Sequence, residues 1–323
     1  MGPTDKLQFG ILGCARICRR GMLRGVQSSG MSQLLALASR RPGQAAAWGA
    51  EFGVPQTYEN YDAVIDNPAI DAVYIPLANE EHLPWVLRAA AAGKHILCEK
   101  PLALDVSQAE TMNSACRRAG VILMEAFMWR HHPRVNQARQ LLASGRLGDL
   151  RLIKMDFSFT IDPADWRLDP ARGGGALFDL GCYGINAARL FTGAEPTEII
   201  ARGALGPTGV DLTDGFLLRF ASGAMALLDC SFAAPYRNRL EIVGSRGSLE
   251  LPGGVLPAEN APLLLHTDAG TESITVEHDC QYTAQVRAFC QGVRQGRLPD
   301  PAEDGLANMR VLCAVKDQAW SVR

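Results

Sequence analysis

In the first third of the chain, short apolar runs alternate with stretches whose apolar residues recur at helical spacing. Leu7–Leu12, Gln33–Ala38, Ala72–Ile75, His95–Cys98 and Val121–Met124 read as buried strands. Ala45–Phe52, Tyr58–Ile65, Leu83–Ala92 and Val106–Ala119 read as helices, and a further helix follows Gly13. Gly93 stands where a helix is expected to stop. Continuously apolar strands separated by helices predict a doubly wound parallel sheet.

After Met124 the pattern changes. Pro133–Ser144 has helical spacing, Leu150–Ile161 alternates like a strand, and a polar loop covers Asp162–Gly174. Ala176–Phe191 reads as a helix ended by Thr192-Gly193. Strands are expected at Glu198–Ala204, Thr213–Phe220, Ala224–Phe232, Arg239–Val243, Ser248–Leu251, Leu263–Thr267 and Ser273–Val276, and two closing helices at Thr283–Gln295 and Glu303–Val322. The expectation is an α/β chain of two domains. Residues 1–124 form the parallel doubly wound sheet. Residues 125–323 form an α+β domain with a large, mostly antiparallel, open-faced sheet, and the C-terminal helix returns to pack on the first domain.

Composition narrows the function classes. The 323 residues carry 32 Lys+Arg against 34 Asp+Glu, a net charge of −2, so the basic excess of a nucleic-acid or anionic-membrane binder is missing. No apolar run has the length of about 18 residues that a membrane span needs. The opening MGPTDKLQFG lacks a basic segment followed by an apolar one, so no secretory leader is expected. Nine scattered cysteines without a CxxC argue for reduced thiols in a cytoplasmic protein rather than a disulfide framework or zinc site. His131-His132 has no carboxylate or cysteine spaced to complete a metal site, and none is expected.

The candidate chemistry begins at Phe9-Gly10-Ile11-Leu12-Gly13-Cys14-Ala15-Arg16-Ile17-Cys18, where the first strand meets a helix. A dinucleotide-binding turn puts its first glycine at Gly13, but the next two glycine positions hold Ala15 and Cys18. Both are small, so Gly13, Cys14, Ala15, Arg16 and Ile17 could let a pyrophosphate approach the helix N-terminus; an ordinary βα turn reads the same way. At the end of the second strand, where an acidic residue would bind a free ribose 2′-hydroxyl, stand Ser39, Arg40 and Arg41. Two guanidiniums and a hydroxyl suit a 2′-phosphate, the alternative being a solvated basic turn.

Glu99-Lys100-Pro101 follows the fourth strand. With the Gly-Cys-Ala turn, Pro76-Leu77-Ala78-Asn79-Glu80-Glu81-His82, Met124-Glu125-Ala126-Phe127-Met128-Trp129-Arg130, Gly145-Arg146-Leu147-Gly148 and Gly173-Gly174-Gly175-Ala176-Leu177-Phe178-Asp179-Leu180-Gly181-Cys182-Tyr183, it makes the chain resemble the Gfo/Idh/MocA family over essentially its full length. The nearest flavours are glucose–fructose oxidoreductase, the NADP-dependent aldose dehydrogenases and the dimeric dihydrodiol dehydrogenases. Tyr183 stands where inositol dehydrogenases have histidine.

The resemblance implies an N-terminal Rossmann domain and an oxidoreductase moving hydride between NADP(H) and a sugar or related cyclic polyol, with NAD disfavoured. A trans-1,2-dihydrodiol dehydrogenase, a sugar ketoreductase and an inactive NADP-sensing regulator are the alternatives. It also implies a homodimer or homotetramer. Leu77, Asn79, His82, Glu99 and Lys100 become cofactor contacts. Trp166, Arg167, Glu125, Asp179 and Tyr183 face substrate, Trp166 having the alternative of anchoring an exposed loop. Alcohol oxidation needs a base for the hydroxyl proton. Asp179 and Tyr183 are four apart on the predicted helix and share a face. A tyrosine of pKa about 10 becomes a usable base beside an ammonium, which Lys100 could supply. The alternative for Tyr183 is a buried aromatic with a satisfied hydroxyl.

Overall fold

The structure, a computed structural model, describes residues 6–277, 279–298 and 302–320. Leu7–Leu12 (β1) lies at the centre of a six-stranded sheet, and its side chains are almost all removed from water. Ser32–Ala38 (β2) and Gln56–Tyr58 (β3) flank it on one side. Ala72–Ile75 (β4), His95–Cys98 (β5) and Leu123–Glu125 (β6) flank it on the other. All five pairings are parallel, in the order β3-β2-β1-β4-β5-β6. The connecting helices are Leu23–Ser28 (α1), Gln44–Phe52 (α2), Asp62–Ile65 (α3), His82–Ala91 (α4) and Val106–Ala119 (α5). Both ends of α5 follow local rules. The Asp105 carboxylate accepts the Gln108 N–H at 2.8 Å, and Gly120 closes the helix at φ 68°.

The second sheet has eight strands in the order β14-β13-β12-β11-β7-β10-β9-β8. Pro133–Ala143 (α6) precedes it. Leu150–Ser158 (β7), Glu198–Leu205 (β8), Asp211–Arg219 (β9), Met225–Ser231 (β10), Arg237–Gly244 (β11), Ser248–Leu251 (β12), Leu263–Thr267 (β13) and Gly270–Ile274 (β14) compose it. Only β7 and β10 pair in parallel. Cys182–Thr192 (α7) contributes nine buried residues, Tyr183 and Arg189 among them. Gln281–Gln295 (α8) and Ala302–Trp320 (α9) end the chain.

Contacts cluster the chain into two compact units, Met1–His131 with Asp279–Ala307 and His132–His278 with Asn308–Arg323. Helix α8 thus groups with the parallel sheet. Phe289 meets Phe9 of β1 edge to face at 5.6 Å, and Gly21 lets Tyr282 so close that a Cβ there would sit 2.0 Å from its ring.

Several expected elements differ. Tyr58–Ile65, read as one helix, is the end of β3 followed by a short helix from Asp62. β3 is an edge strand of three half-buried residues, Gln-Thr-Tyr, and carries no apolar run to betray it. The strand read at Val121–Met124 is Leu123–Glu125, so Glu125 ends the strand rather than following it. The strand read at Leu150–Ile161 is Leu150–Ser158, Thr213–Phe220 begins at Asp211, and Ser273–Val276 is displaced to Gly270–Ile274. Two helices read as uniform open on wide π-helical turns, Cys18–Met22 before α1 and Leu177–Gly181 before α7. The closing helix read to Val322 is described to Trp320; Val322 lies outside the described residues.

Candidate active site

The site residues of the first unit cluster where strands leave the carboxyl edge of the parallel sheet, the edge at which ligands of such sheets bind. Gly13 follows β1 directly. Its N–H donates to the Ala38 carbonyl at 2.8 Å and its φ is 114°, a conformation L side chains rarely adopt. A Cβ on Gly13 would lie 2.8 Å from Leu77 Cδ2, so the turn presents bare backbone beside the loop after β4. Cys14 is half-buried; burial raises its thiol to about 11 against the opposing pulls of Ser39, Arg41 and Arg19. Ala15 and Ile17 are half-buried and Arg16 is exposed. The glycine cradle and the small turn residues fit a pyrophosphate, although the helix begins with a π turn.

The three residues after β2 differ in commitment. Ser39 is buried; its hydroxyl donates to Gln44 Oε1 at 2.8 Å and accepts the Arg41 N–H at 3.2 Å. Arg40 pairs with Glu81 and stacks over the Tyr61 ring at 5.0 Å. Glu81 also accepts the Trp85 indole N–H at 2.8 Å. Arg41 is exposed, and among the described residues no carboxylate pairs with it.

Lys100 and Glu99 are half-buried just beyond β5. The Tyr74 hydroxyl, fully buried, donates to Glu99 Oε1 at 2.5 Å. The Lys100–Pro101 peptide is cis. His82, read in the sequence as a cofactor contact, is wholly buried. Its Nδ1 lies 3.0 Å from the Pro101 carbonyl and 3.2 Å from that of Leu102, and its Nε2 lies 3.1 Å from that of Leu77. A loop carbonyl thus stands against each ring nitrogen, and the neutral ring has a single N–H to donate among them. Burial lowers the His82 pKa and outweighs the three carbonyls, which act in the other direction. Glu125, read as a substrate contact, accepts the Leu102 N–H at 2.8 Å and so supports the same corner from β6. Asn79 is buried in the short turn before α4.

The second unit brings Trp166, Arg167 and Asp179 together. Arg167 Nε lies 3.0 Å from Asp179 Oδ2 and Nη1 3.2 Å from Asp165 Oδ1. Burial works to lower the Arg167 pKa, but Asp179 and Asp165 outweigh it, so the guanidinium is more firmly protonated than usual. The Trp166 ring carries guanidiniums at 4.8 Å (Arg167) and 5.3 Å (Arg172). Tyr183, only 5 % exposed, packs against Phe157 at 5.9 Å. The π turn covers about 82° per residue and the α-helix 100°, so Asp179 and Tyr183 share a face in either geometry.

Sequence reasoning passed over four residues that shape these groups. Asp165 also accepts the Arg167 N–H at 3.1 Å; its place before Trp166-Arg167, at a turn start, was the available signal. Glu81 fixes Arg40. Asp211 and Asp214, fully buried in β9, stand as two acids within an otherwise apolar strand pattern. Among the described residues no three His, Cys, Asp or Glu are placed to hold a metal ion; His132 instead caps α6, its Nδ1 accepting the Arg134 N–H at 3.2 Å. No helix among them is long and apolar enough to cross a membrane.

Residues 7–127 match an oxidoreductase family with an NAD-binding Rossmann fold, and residues 135–250 match the GFO/IDH/MocA C-terminal domain. The chain is 36% identical over 318 residues to D-xylose 1-dehydrogenase (NADP(+)) 2 of Haloferax volcanii, a match covering 97% of both proteins. It is 35% identical over 328 residues to the dTDP-3,4-didehydro-2,6-dideoxy-alpha-D-glucose 3-reductase of Actinomadura kijaniata, covering 99% of this chain and 97% of that one. Among solved structures, aldose-aldose oxidoreductase from Caulobacter crescentus, complexed with glycerol, superposes with a TM-score of 0.92 at 33% identity over 99% of both chains. A 3-ketoreductase from A. kijaniata in complex with NADP and TDP-benzene gives 0.91 at 33% identity, over 97% of this chain and 98% of that one.

The buried, neutral His82 makes stability depend on pH. Its folded pKa lies below the unfolded value of about 6.5, so its contribution is present above that pH and is lost as the pH falls. His82→Gln should be less stable at pH 7, yet show a shallower loss of urea midpoint between pH 7 and pH 5. Equal losses in both proteins would contradict the assignment.

Proposed function

The chain belongs to the Gfo/Idh/MocA oxidoreductase family, and we propose that within it the protein uses NADP(H) to oxidise or reduce a hydroxyl-bearing carbon of a sugar or related cyclic polyol. Oxidation or reduction of sugar-related compounds recurs among its relatives, in the D-xylose 1-dehydrogenase (NADP(+)) and the dTDP-sugar 3-reductase. The observation that carries the finer reading is the corner after β5, where Lys100 stands at the carboxyl edge of the parallel sheet on a turn braced by Glu99, His82 and Glu125.

When bound, the nicotinamide supplies the acceptor or donor of hydride. Gly13 and the turn to Ile17 hold the pyrophosphate on bare backbone, and Arg41, with Arg40 beside it, takes the ribose 2′-phosphate. Asn79, Leu77, Glu99 and Lys100 border the nicotinamide side. Tyr183 accepts the substrate hydroxyl proton in oxidation and returns it in reduction. Lys100 donates a hydrogen bond to the same oxygen and favours the phenolate by its charge. Asp179, held by Arg167, fixes the geometry, and Trp166 offers an aromatic face to a pyranose. The dTDP-sugar 3-reductase among the relatives favours one second reading, reduction of a keto sugar, in which the same residues run the step in reverse.

Assembly follows from the open face of the second sheet. Ile200, Leu217 and Leu227 stand in one cross-strand row, and Ile200 and Leu227 are 48% and 44% exposed. The row continues into Lys154 and Glu241, ion-paired at 3.3 Å. An apolar patch with a charged border suits a second copy of the chain.

Three outcomes test the reading. NADP(H) should exceed NAD(H) in kcat/KM. Arg41→Ala should cut the NADP(H) value by about 10- to 150-fold, the effect of losing one hydrogen bond to a charged group worth roughly 1.5–3 kcal/mol. Arg40→Ala should cost less, since Arg40 is already shared with Glu81; an NAD preference in the wild type would refute the cofactor assignment. Tyr183→Phe should lower kcat about 10²–10⁴-fold, the usual contribution of general acid–base catalysis, while NADPH affinity stays nearly constant. Wild-type turnover in that variant would remove Tyr183 from the chemistry. Light scattering should find a dimer or a dimer of dimers that Leu227→Asp dissociates, and a wild-type monomer at micromolar concentration would count against the sheet interface.

A further inference from the structure

The Asp211 and Asp214 pair lies in the second unit, directly behind the wide turn that carries Asp179. Side chains three apart on a regular strand point to opposite faces. Here β9 carries a bulge: Ala204 of β8 opposes Thr213 while Leu205 opposes Asp211, leaving Leu212 as the extra residue. The bulge turns Asp211 onto the buried face with Asp214, Phe216 and Leu218.

Asp211 Oδ2 accepts the N–H of Leu177, the first residue of the π turn, at 2.5 Å. Asp211 Oδ1 and both oxygens of Asp214 are buried and receive no aligned donor. Chain backbone crowds both acids. Gly175, at φ 119°, would bring a Cβ to 2.0 Å from Asp211 Oδ1, and Gly203 would bring one to 2.2 Å from Asp214 Oδ1. Two ionised carboxylates facing each other in such a place repel at high cost, whereas a single proton between them makes one a donor to the other.

We propose that Asp211 and Asp214 are positioning residues: bridged by one shared proton, they hold the Leu177 N–H and so fix the turn that carries Asp179 and leads into Tyr183. Burial and the neighbouring Asp211 push Asp214 up to about 9, against the Trp320 indole. Burial also raises Asp211, opposed by Asp214, the Leu177 N–H and Lys316. The proton therefore rests on Asp214 at neutral pH. The charged and titratable groups facing the pair are Lys316 of α9 and Cys230 of β10, whose thiol both acids push up; β8 adds only Gly203. Two residues beyond Leu177, the Asp179 N–H donates to the Gly175 carbonyl at 3.1 Å and its carboxylate meets Arg167.

The catalytic consequence rests on the oxidoreductase reading; the proton and the turn do not, and the full-length chain tests them separately. The folded pair keeps a proton that the unfolded chain loses above about pH 4, so wild-type stability from this source falls as the pH rises toward about 9. Asp214→Asn keeps an N–H donor to Asp211 and has no proton to lose. Its urea midpoint should fall less than the wild type's between pH 5 and pH 9, and its Leu177–Tyr183 amides should stay protected from hydrogen exchange. Asp214→Leu should lose that protection and lower kcat on the order of 10- to 100-fold, as misplaced catalytic groups do, with NADP(H) affinity unchanged. Parallel pH dependence in the wild type and Asp214→Asn would overturn the shared proton. A folded Asp214→Leu with full amide protection would overturn the positioning role. If Asp214→Leu does not fold, exchange over the same turn in wild type above pH 9 decides: retained protection there refutes the proposal. A wild type that turns over no sugar with NADP(H) would defeat the proposed sugar substrate and leave these results standing.

Discussion

Backbone groups that leave a buried strand have no ladder to join and little water to reach, and both units are organised by side chains that meet them. His82, with one N–H to donate, sits among the Leu77, Pro101 and Leu102 carbonyls, and Glu125 accepts the Leu102 N–H. Buried Lys94 donates to the Asn67 and Ile70 carbonyls at 2.9 and 2.7 Å. Arg134, its pKa lowered to about 10 by burial, donates to the Pro252 carbonyl at 2.7 Å and to that of Gly254. Polar residues are thus spent on loops, and each loop so held becomes a fixed platform.

This division of labour decides which side chains remain for a ligand. After β2, the Ser39 and Arg40 side chains are engaged with their own neighbours, while no carboxylate among the described residues pairs with the Arg41 guanidinium. Beyond β5, Glu99 and the cis turn are braced from Tyr74, His82 and Glu125. In the second unit Arg167 is clamped between two aspartates and stacked on Trp166, so the loop from Asp162 to Gly174, polar and without regular strands, is far from loose. A site assembled from such parts is preorganised, because its supporting hydrogen bonds are made before any ligand arrives.

The parallel sheet was largely legible because Leu7–Leu12, Ala72–Ile75 and His95–Cys98 are buried on both faces and read as unbroken apolar runs. β3 escaped because an edge strand needs no such run, and the π turns escaped because a wide turn changes the path of a helix without changing its composition. Residue types at the site were readable, but their commitments were not. The sequence presents His82 as a polar residue beside a nicotinamide loop, and only the fold reveals three carbonyls around its ring. Asp211 and Asp214, three apart, read as pointing to opposite faces until the bulge at Leu212 turns Asp211 onto the buried face that Asp214 occupies.

The wide turn at Leu177–Gly181 also bears on how this segment can change over generations. A π turn is an α-helix with one residue inserted, and the chain on either side is packed in register with that insertion. Losing a single residue there would let the helix relax to ordinary spacing with little net rotation, since five residues at about 82° and four at about 100° carry the chain through nearly the same angle. Tyr183 and the other inward residues of α7 would keep their face, while the turn itself, Asp179 included, would be redrawn. A one-residue deletion is therefore open to this stretch in a way that it is not to α7, where each lost residue swings the remainder by about 100°.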